Sequence, residues 1–397
     1  MAEAASLSRL PIVALAATLV GEAVLLLPPP FTLTDHLVVW SAGRAVLDGA
    51  SPYDPMVWRE AATRFDSPHL RELTAGGGAG AWPYPPWTAL LFVPFAALPV
   101  ELGTWALHLA YLASGLGAAI AIARALPYRS EASVAGALAL FALFQPFVVA
   151  ARWGQFSSFV LVGWALVLVG VRDARAAPVA FGALLLSTKP QVGVVLGLVV
   201  VALLVRRRAW PSLDASAAAL LSVAVVSWWR YPEWLGASLG GVVGRLGVLD
   251  RFAGTWAFAA EVVPQAAGTA GLVLSSLLLA CCVAASRWSP ASLRLPVALS
   301  AGAVASVGLT PYVLSYDHLL LAPAAFVALL ASSGASAAAR VLQAVAILAV
   351  VTVVPWLAYL AGIFRPTQSL SGVVPLLFAL LLLASAALLR ARAPRAS

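Results

Sequence analysis

The sequence predicts an all-α polytopic membrane protein, and three observations carry that prediction. Of the 397 residues, 62% are hydrophobic. Only 10% are charged, against about a quarter in soluble domains, so a water-facing surface cannot be built. Apolar runs of about 18 or more residues, the length that crosses a hydrocarbon core of roughly 30 Å, recur along the whole chain. No stretch is long and polar enough for a separate soluble domain. Residues 1–397 therefore read as a single integral membrane domain, with an external loop at 29–83 carrying a surface helix.

The first apolar run, Leu10 to Leu27, follows Arg9 and ends in Pro28-Pro29-Pro30 without a small-residue cleavage site, so it reads as a retained span rather than a signal peptide. Positive residues favour the cytoplasmic side of short loops. Arg124/Arg129, Arg172/Arg175, Arg206-Arg207-Arg208, Arg287/Arg294, Arg340 and Arg390/Arg392/Arg395 are accordingly placed inside. Between these clusters the chain goes out and returns as helical hairpins: 131–150 with 156–171, 213–229 with 268–286, 295–311 with 318–333, and 340–360 with 371–389. Residues 176–205 are flanked by arginine on both sides yet hold only two short helices, with a turn at Lys189-Pro190. The stretch 84–98 dips in and returns before 103–123 crosses. The expected total is about 11–13 membrane segments, some short or re-entrant.

The net charge of +8 comes from arginines dispersed between apolar runs, with no aromatic-interleaved basic face, which excludes nucleic acid as the partner. Cys281 and Cys282 are adjacent within an apolar run and provide neither a disulfide framework nor a metal quartet. No cluster has metal-ligand spacing, so no cofactor is expected, although a loosely bound divalent cation stays compatible. No nucleotide-binding motif is present either, which points to a membrane-borne donor for any group transfer.

The unusual polar residues collect on the side opposite the arginine clusters. Asp35 opens a helix with apolar positions at Leu33, Leu37, Trp40, the Arg44 stem and Leu47, the pattern of a helix lying along the membrane surface. Thr32 with Asp35 three residues on reads as a capping box, and catalysis is an equally open reading. Gly49 to Pro55 ends that helix, with Asp54 as a turn residue. Gly76-Gly77-Gly78-Ala79-Gly80 is a connector, and Trp82-Pro83-Tyr84-Pro85-Pro86-Trp87 combines interface-seeking aromatics with a helix start. Tyr84 is a candidate lining residue. Lys189, the only lysine, interrupts an apolar run; an ionisable group there costs about 2.5–3.5 kcal/mol on insertion scales, so it must face a cavity or a partner. A cation receiving a phosphate or acidic ligand is the favoured reading, and a snorkelling anchor the competing one. Tyr312, Tyr316, Asp317 and His318 form a polar stretch in which Asp317 is placed to orient His318, with interfacial capping as the alternative. Arg152 and Gln155 flank another span start with the same ambiguity.

Thr34-Asp35-His36-Leu37-Val38-Val39-Trp40, Ala42-Gly43-Arg44-Ala45, Gly49-Ala50-Ser51-Pro52-Tyr53-Asp54-Pro55 and Tyr84-Pro85-Pro86 together resemble the opening of glycosyltransferase family 87. Gly154-Gln155, Thr188-Lys189-Pro190 and Tyr316-Asp317-His318 before Leu-Leu-Leu-Ala-Pro extend the resemblance over roughly residues 10 to 390. Departures fall at His36, where an aromatic or apolar residue is common, and at Ser157-Ser158, where an amide often follows the Gly-Gln pair. The resemblance implies a GT-C-type fold and transfer of a sugar, mannose in the family's polyprenyl-phosphate-mannose-dependent members, from a polyprenyl-monophosphate donor to a glycolipid or glycan hydroxyl. The implied setting is the external face of a bacterial inner membrane.

It further implies Asp35 as general base and His318 as a second catalytic residue. Lys189, Arg152 and His36 then contact the donor phosphate. Arg44, Tyr84, Gln155, Tyr316 and Asp317 line the substrate. The reaction expected is inverting. Two rivals from other classes are a transporter or flippase of a lipid-linked or small anionic substrate, and a non-catalytic envelope scaffold. The absence of convincing similarity between the two halves disfavours the transporter.

Overall fold

The computed structural model describes residues 27, 29–75, 82–127, 131–246, 252–332, 337–363 and 367–392. The expected first span and the glycine connector lie outside them. Helices account for the regular structure of the described residues, and prolines start many of them, because a missing N–H costs nothing in a first turn.

The polar loop region contributes α1 (Asp35–Leu47), α2 (Pro55–Arg64), α3 (Pro68–Ala75), α4 (Pro86–Leu90) and α5 (Val93–Ala96). Then follow α6 (Val100–Ala125), α7 (Glu131–Ala142), α8 (Gln145–Trp153), α9 (Ser157–Arg172), α10 (Ala176–Ser187), α11 (Pro190–Arg206) and α12 (Trp210–Arg230). The chain continues through α13 (Trp234–Leu246), α14 (Thr255–Val262), α15 (Ala267–Trp288), α16 (Arg294–Leu309), α17 (Ala322–Ser332), α18 (Ala337–Leu348), α19 (Val354–Ile363) and α20 (Val373–Arg392).

Among the described residues, six helical stretches are long and apolar enough to cross a membrane, and α7 with α8, bent by 51°, make a seventh as a pair. Four shorter apolar helices stand beside them: α9, α10, α11 and Ser315–Ala331. The protein is an all-α, multi-pass membrane protein. The pair expected over 176–205 is present as α10 and α11, broken at Thr188-Lys189. Residues 84–98 form only α4 and α5, both far too short to cross, because Pro85, Pro86 and Pro94 interrupt the apolar run.

Burial sorts the spans. The apolar window of Ala291–Leu309 is 78% buried, whereas that of α12 is 17% buried. The first is the centre of the bundle. The second turns Leu221, Val225, Val226 and Trp229 outward, as hydrocarbon-facing helices do. Where α9 meets α10, the packing is backbone to backbone: a Cβ added at Gly163 would fall 2.8 Å from the Gly182 carbonyl oxygen, so small residues are needed there.

Two apolar clusters result. One runs along the spans from Ala118 to Ala386. The other, rich in aromatics, joins Leu37, Trp40, Trp58, Trp82, Phe92, Tyr111 and Phe156 at the end where the polar loops lie. This second cluster corrects the expectation for α1. The helix does not lie on a surface: His36 to Gly43 and Ala45 are all buried, and α5 and α6 pack on it. Trp82, expected in an interfacial belt, is 1% exposed and belongs to the same cluster.

The site end and the arginine end of the bundle are opposite. The helix α9 runs 16 residues from Ser157 to Arg172, roughly 24 Å at 1.5 Å per residue. Similarly, α11 runs from Pro190 to Arg206 and α10 from Arg175, its N-cap, to Ser187. Ser157, Thr188 and Lys189 meet at one end, and the arginines occupy the other.

Candidate active site

Asp35 begins α1, whose N-cap is Thr34 and makes no side-chain capping bond. The capping box expected from Thr32 is therefore not formed; Thr32 lies inside a 3-10 turn, Phe31–Leu33. The Asp35 carboxylate is instead taken up by two residues from distant parts of the chain. His69 Nε2 stands 2.7 Å from Oδ1, and the Gln155 side-chain amide donates to Oδ2.

His69 is held in place by its own short helix. Ser67 Oγ donates to the Thr32 carbonyl at 2.5 Å and accepts from the Leu70 amide at 3.2 Å, which ties α3 to the turn just before Asp35. Leu70 is fully buried beneath it. Burial disfavours the His69 imidazolium, but the hydrogen bond and charge of Asp35, with the charge of Glu72, outweigh that and raise its pKa above the ordinary value.

Gly154 explains how Gln155 reaches the carboxylate. It ends α8 in the left-handed conformation, φ 75°. A Cβ there would collide with the backbone nitrogen of His36, so the turn can press against the start of α1 only with glycine. Replacing Gly154 with Ala is expected to cost at least the roughly 1–2 kcal/mol of the left-handed conformation, plus the displacement of α1. A lowered unfolding temperature of the purified protein, accompanied by lost activity, is the result to look for.

The orientation of the Gln155 amide follows from its partners. Lys189 Nζ, which has only protons to offer, donates to Gln155 Oε1 at 3.0 Å. The NH2 end is thus left for the Asp35 carboxylate. The other two Lys189 N–H groups go to Ser157 Oγ at 2.9 Å and Asp317 Oδ1 at 2.8 Å. Phe156 and Tyr316 lie over the ammonium, with ring centroids at 4.7 and 4.8 Å. Lys189 is 0% exposed and all three donors are engaged.

This corrects the expectation of a cation free to receive a phosphate. Lys189 is one half of a buried ion pair, and it acts on Asp35 by fixing the amide between them. Ser157, one of the departures from the family pattern, is part of that pair, since it also donates to Asp317 Oδ1 at 2.9 Å.

Asp317 also accepts from the Leu314 amide through Oδ2 at 3.3 Å. It therefore does not orient His318. His318 is fully buried and pairs through Nε2 with the Ala253 carbonyl at 3.1 Å. His36 is likewise enclosed, between Thr34, whose hydroxyl is 3.0 Å from Nδ1, and the rings of His108 and Tyr111. Burial first, and then His108, push its pKa down to about 3 against the pull of Asp35, so it is neutral near pH 7 and supplies no positive charge to a phosphate.

Two cavities meet at Asp35 and His69. The first, of about 230 Å³, is walled by Trp82, Tyr84, Gln155, Phe156, Tyr316 and Asp317 among others. An edge-to-face aromatic run backs it, with Trp82 to Tyr84 at 5.2 Å and Tyr84 to Phe156 at 4.8 Å between centroids. The second, of about 300 Å³, lies between α8 and α19 and is walled by Val149, Trp153, Leu314, Tyr359, Gly362 and Gln368, with Tyr316 again shared. Of the residues expected to line substrate, Tyr84, Gln155, Tyr316 and Asp317 wall the first cavity. Arg44 does not: it pairs with Asp48 at 2.8 Å, nine residues along α1 from Asp35, roughly 13 Å away. Arg152 reaches the Leu27 carbonyl at 3.3 Å and is absent from both walls. Among the described residues no group of three or more His, Cys, Asp or Glu is arranged to hold a metal ion.

Residues 82–256 match the model of Glycosyltransferase family 87. Over that stretch the chain is similar to glycosyltransferase family 87. The protein is a membrane glycosyltransferase, for which a bilayer, a sugar donor and an acceptor are the general partners. The matched stretch contains Trp82, Tyr84, Gln155, Ser157 and Lys189, whereas Asp35, His69 and Tyr316 to His318 lie outside it. No curated protein and no solved structure matches the chain.

The site residues that sequence reasoning missed are His69 and Ser157. His69 is one of only four histidines and falls in the polar loop that follows Asp35. That scarcity was the available signal.

Proposed function

We propose that this glycosyltransferase moves a hexose from a polyprenyl-monophosphate donor to the hydroxyl of a glycolipid or glycan, with inversion, at the external face of a bacterial cell membrane. Mannose is the hexose suggested by the resemblance of the opening motif. The observation that carries this reading is the position of Asp35, where an aromatic, polar cavity and a more apolar one between two helices come together.

The chemistry needs only one carboxylate. Asp35 takes the proton from the attacking hydroxyl as that oxygen bonds to the anomeric carbon. The bond from that carbon to the phosphate oxygen breaks, and its electron pair leaves with the phosphate. A positioned base of this kind contributes about 10²–10⁴-fold. Asp317 is committed to Lys189, so among the described residues walling the two cavities no second carboxylate is at hand to act as nucleophile, which favours single displacement with inversion. The polyprenyl tail keeps the donor in the bilayer, and the cavity between α8 and α19 is the proposed route for its headgroup. The arginine-bearing helix ends lie away from the site, which supports an external location by the bias of positive charge toward the cytoplasm.

Mass spectrometry of the lipids and glycans of cells with and without the protein tests this reading. A species lacking one hexose in the deletion strain is expected. Unchanged lipids and glycans, together with counterflow of a labelled lipid-linked sugar in liposomes without covalent transfer, would replace the enzyme with a transporter.

A further inference from the structure

We propose that His69 is the positioning residue of Asp35: its Nε2–H holds Oδ1 from one side while the Gln155 amide holds Oδ2 from the other, so that the carboxylate is fixed in plane at the mouth of both cavities. The inference rests on the reading of Asp35 as the base.

Three observations lead to it. The contact is short, 2.7 Å, and both side chains are partly shielded, each 27% exposed. The imidazole is built into position, since α3 is pinned to the turn preceding Asp35 by Ser67 and by the buried Leu70. And the two anchors of Asp35 differ in kind. Gln155 is neutral and is set by Lys189, whereas His69 carries a proton that comes and goes.

A carboxylate has rotational freedom about its last bond, and catalysis by a base depends on where its lone pairs point. With Oδ1 and Oδ2 both accepting a hydrogen bond, that rotation is stopped. The remaining lone pairs are presented to a hydroxyl in the cavities. The titratable groups facing the pair are Glu72 on α3 itself, His36 and Tyr111 around Asp35, and Tyr84, Tyr312, Tyr316 and Asp317 across the first cavity. None of these is a second cation able to take the place of His69 when it loses its proton.

The test uses the purified full chain in lipid nanodiscs. In an NMR titration of ¹⁵N-histidine-labelled protein, His69 is expected to titrate above the ordinary imidazole value of about 6.5, and to fall below it in Asp35→Asn. Titration of His69 that is the same in both proteins overturns the proposal, and this arm needs no substrate. In transfer assays with polyprenyl-phosphate-mannose as donor and total membrane lipid as acceptor, His69→Ala is expected to lower kcat by about 10–100-fold with little change in KM, the usual size for loss of an orienting partner. His69→Gln, which still offers an N–H to Oδ1, is expected to recover much of that kcat and to lack the alkaline fall in rate expected of the native protein. Native kcat and an unchanged pH profile in both variants, with Asp35→Asn inactive, would sink the positioning role and leave the base assignment standing. Full transfer by Asp35→Asn would sink the base assignment itself.

Discussion

Asp35→Asn is expected to lower the rate of sugar transfer by about 10²–10⁴-fold, equivalent to roughly 2.7–5.5 kcal/mol of barrier. The substitution keeps the size of the side chain and removes only the charge and one acceptor oxygen. It also creates a local conflict. The Gln155 NH2 cannot turn away from position 35, because Lys189 holds the other end of that amide at 3.0 Å, so an Asn NH2 pointed at Gln155 would face donor with donor. The asparagine will therefore present its carbonyl to Gln155 and its NH2 to His69, the geometry least able to accept a proton from a hydroxyl. Donor binding, measured with a labelled lipid-linked sugar, should be near native, which separates loss of chemistry from loss of fold.

Lys189→Ala is expected to cost stability rather than donor affinity. The residue is 0% exposed and its partner Asp317 is 3% exposed at the side chain, with 2.8 Å between them. Removing the lysine leaves a buried carboxylate with only the Ser157 hydroxyl and the Leu314 amide for compensation. Breaking such a pair from one side costs about 3–5 kcal/mol. The unfolding temperature in detergent should fall sharply, and so should the yield of folded protein. Replacing both charges at once, Lys189→Met with Asp317→Leu, should recover most of the stability, since neither charge is then left uncompensated. Activity should not return with it, because the Gln155 amide has lost the donor that sets its orientation. A Lys189→Ala protein as stable as the native one, with a raised KM for the donor, would restore the phosphate-binding reading.

Much of the architecture was legible because apolar runs, prolines and arginines are local signals. The break between α10 and α11 follows from Lys189-Pro190 placed between two arginine clusters, and the structure has it there. The depth of α1 was not legible. When lipid and protein interior are equally apolar, the spacing of Leu37, Trp40 and Leu47 does not tell which one a helix face meets, and here the helix is enclosed by protein.

The site was legible in part for a related reason. Asp35, Tyr84, Gln155 and Tyr316 stand out as polar residues at the ends of apolar segments, and all four line the cavities. What they bond to is set by contacts across the fold. Lys189 and Asp317 are 128 positions apart, and nothing local marks them as partners. Asp317 and His318 are neighbours in the chain, yet the 3-10 turn Ser315–Leu321 sends one to Lys189 and the other to the Ala253 carbonyl. Adjacency suggested a pair where the backbone makes two separate contacts.

The most direct test of the account is the transfer rate of Asp35→Ala, measured with and without added formate, a small carboxylate able to enter the space the side chain vacates. The account predicts a rate at least about a hundredfold below native that rises with formate concentration. Transfer at the native rate by Asp35→Ala without any added carboxylate would contradict it.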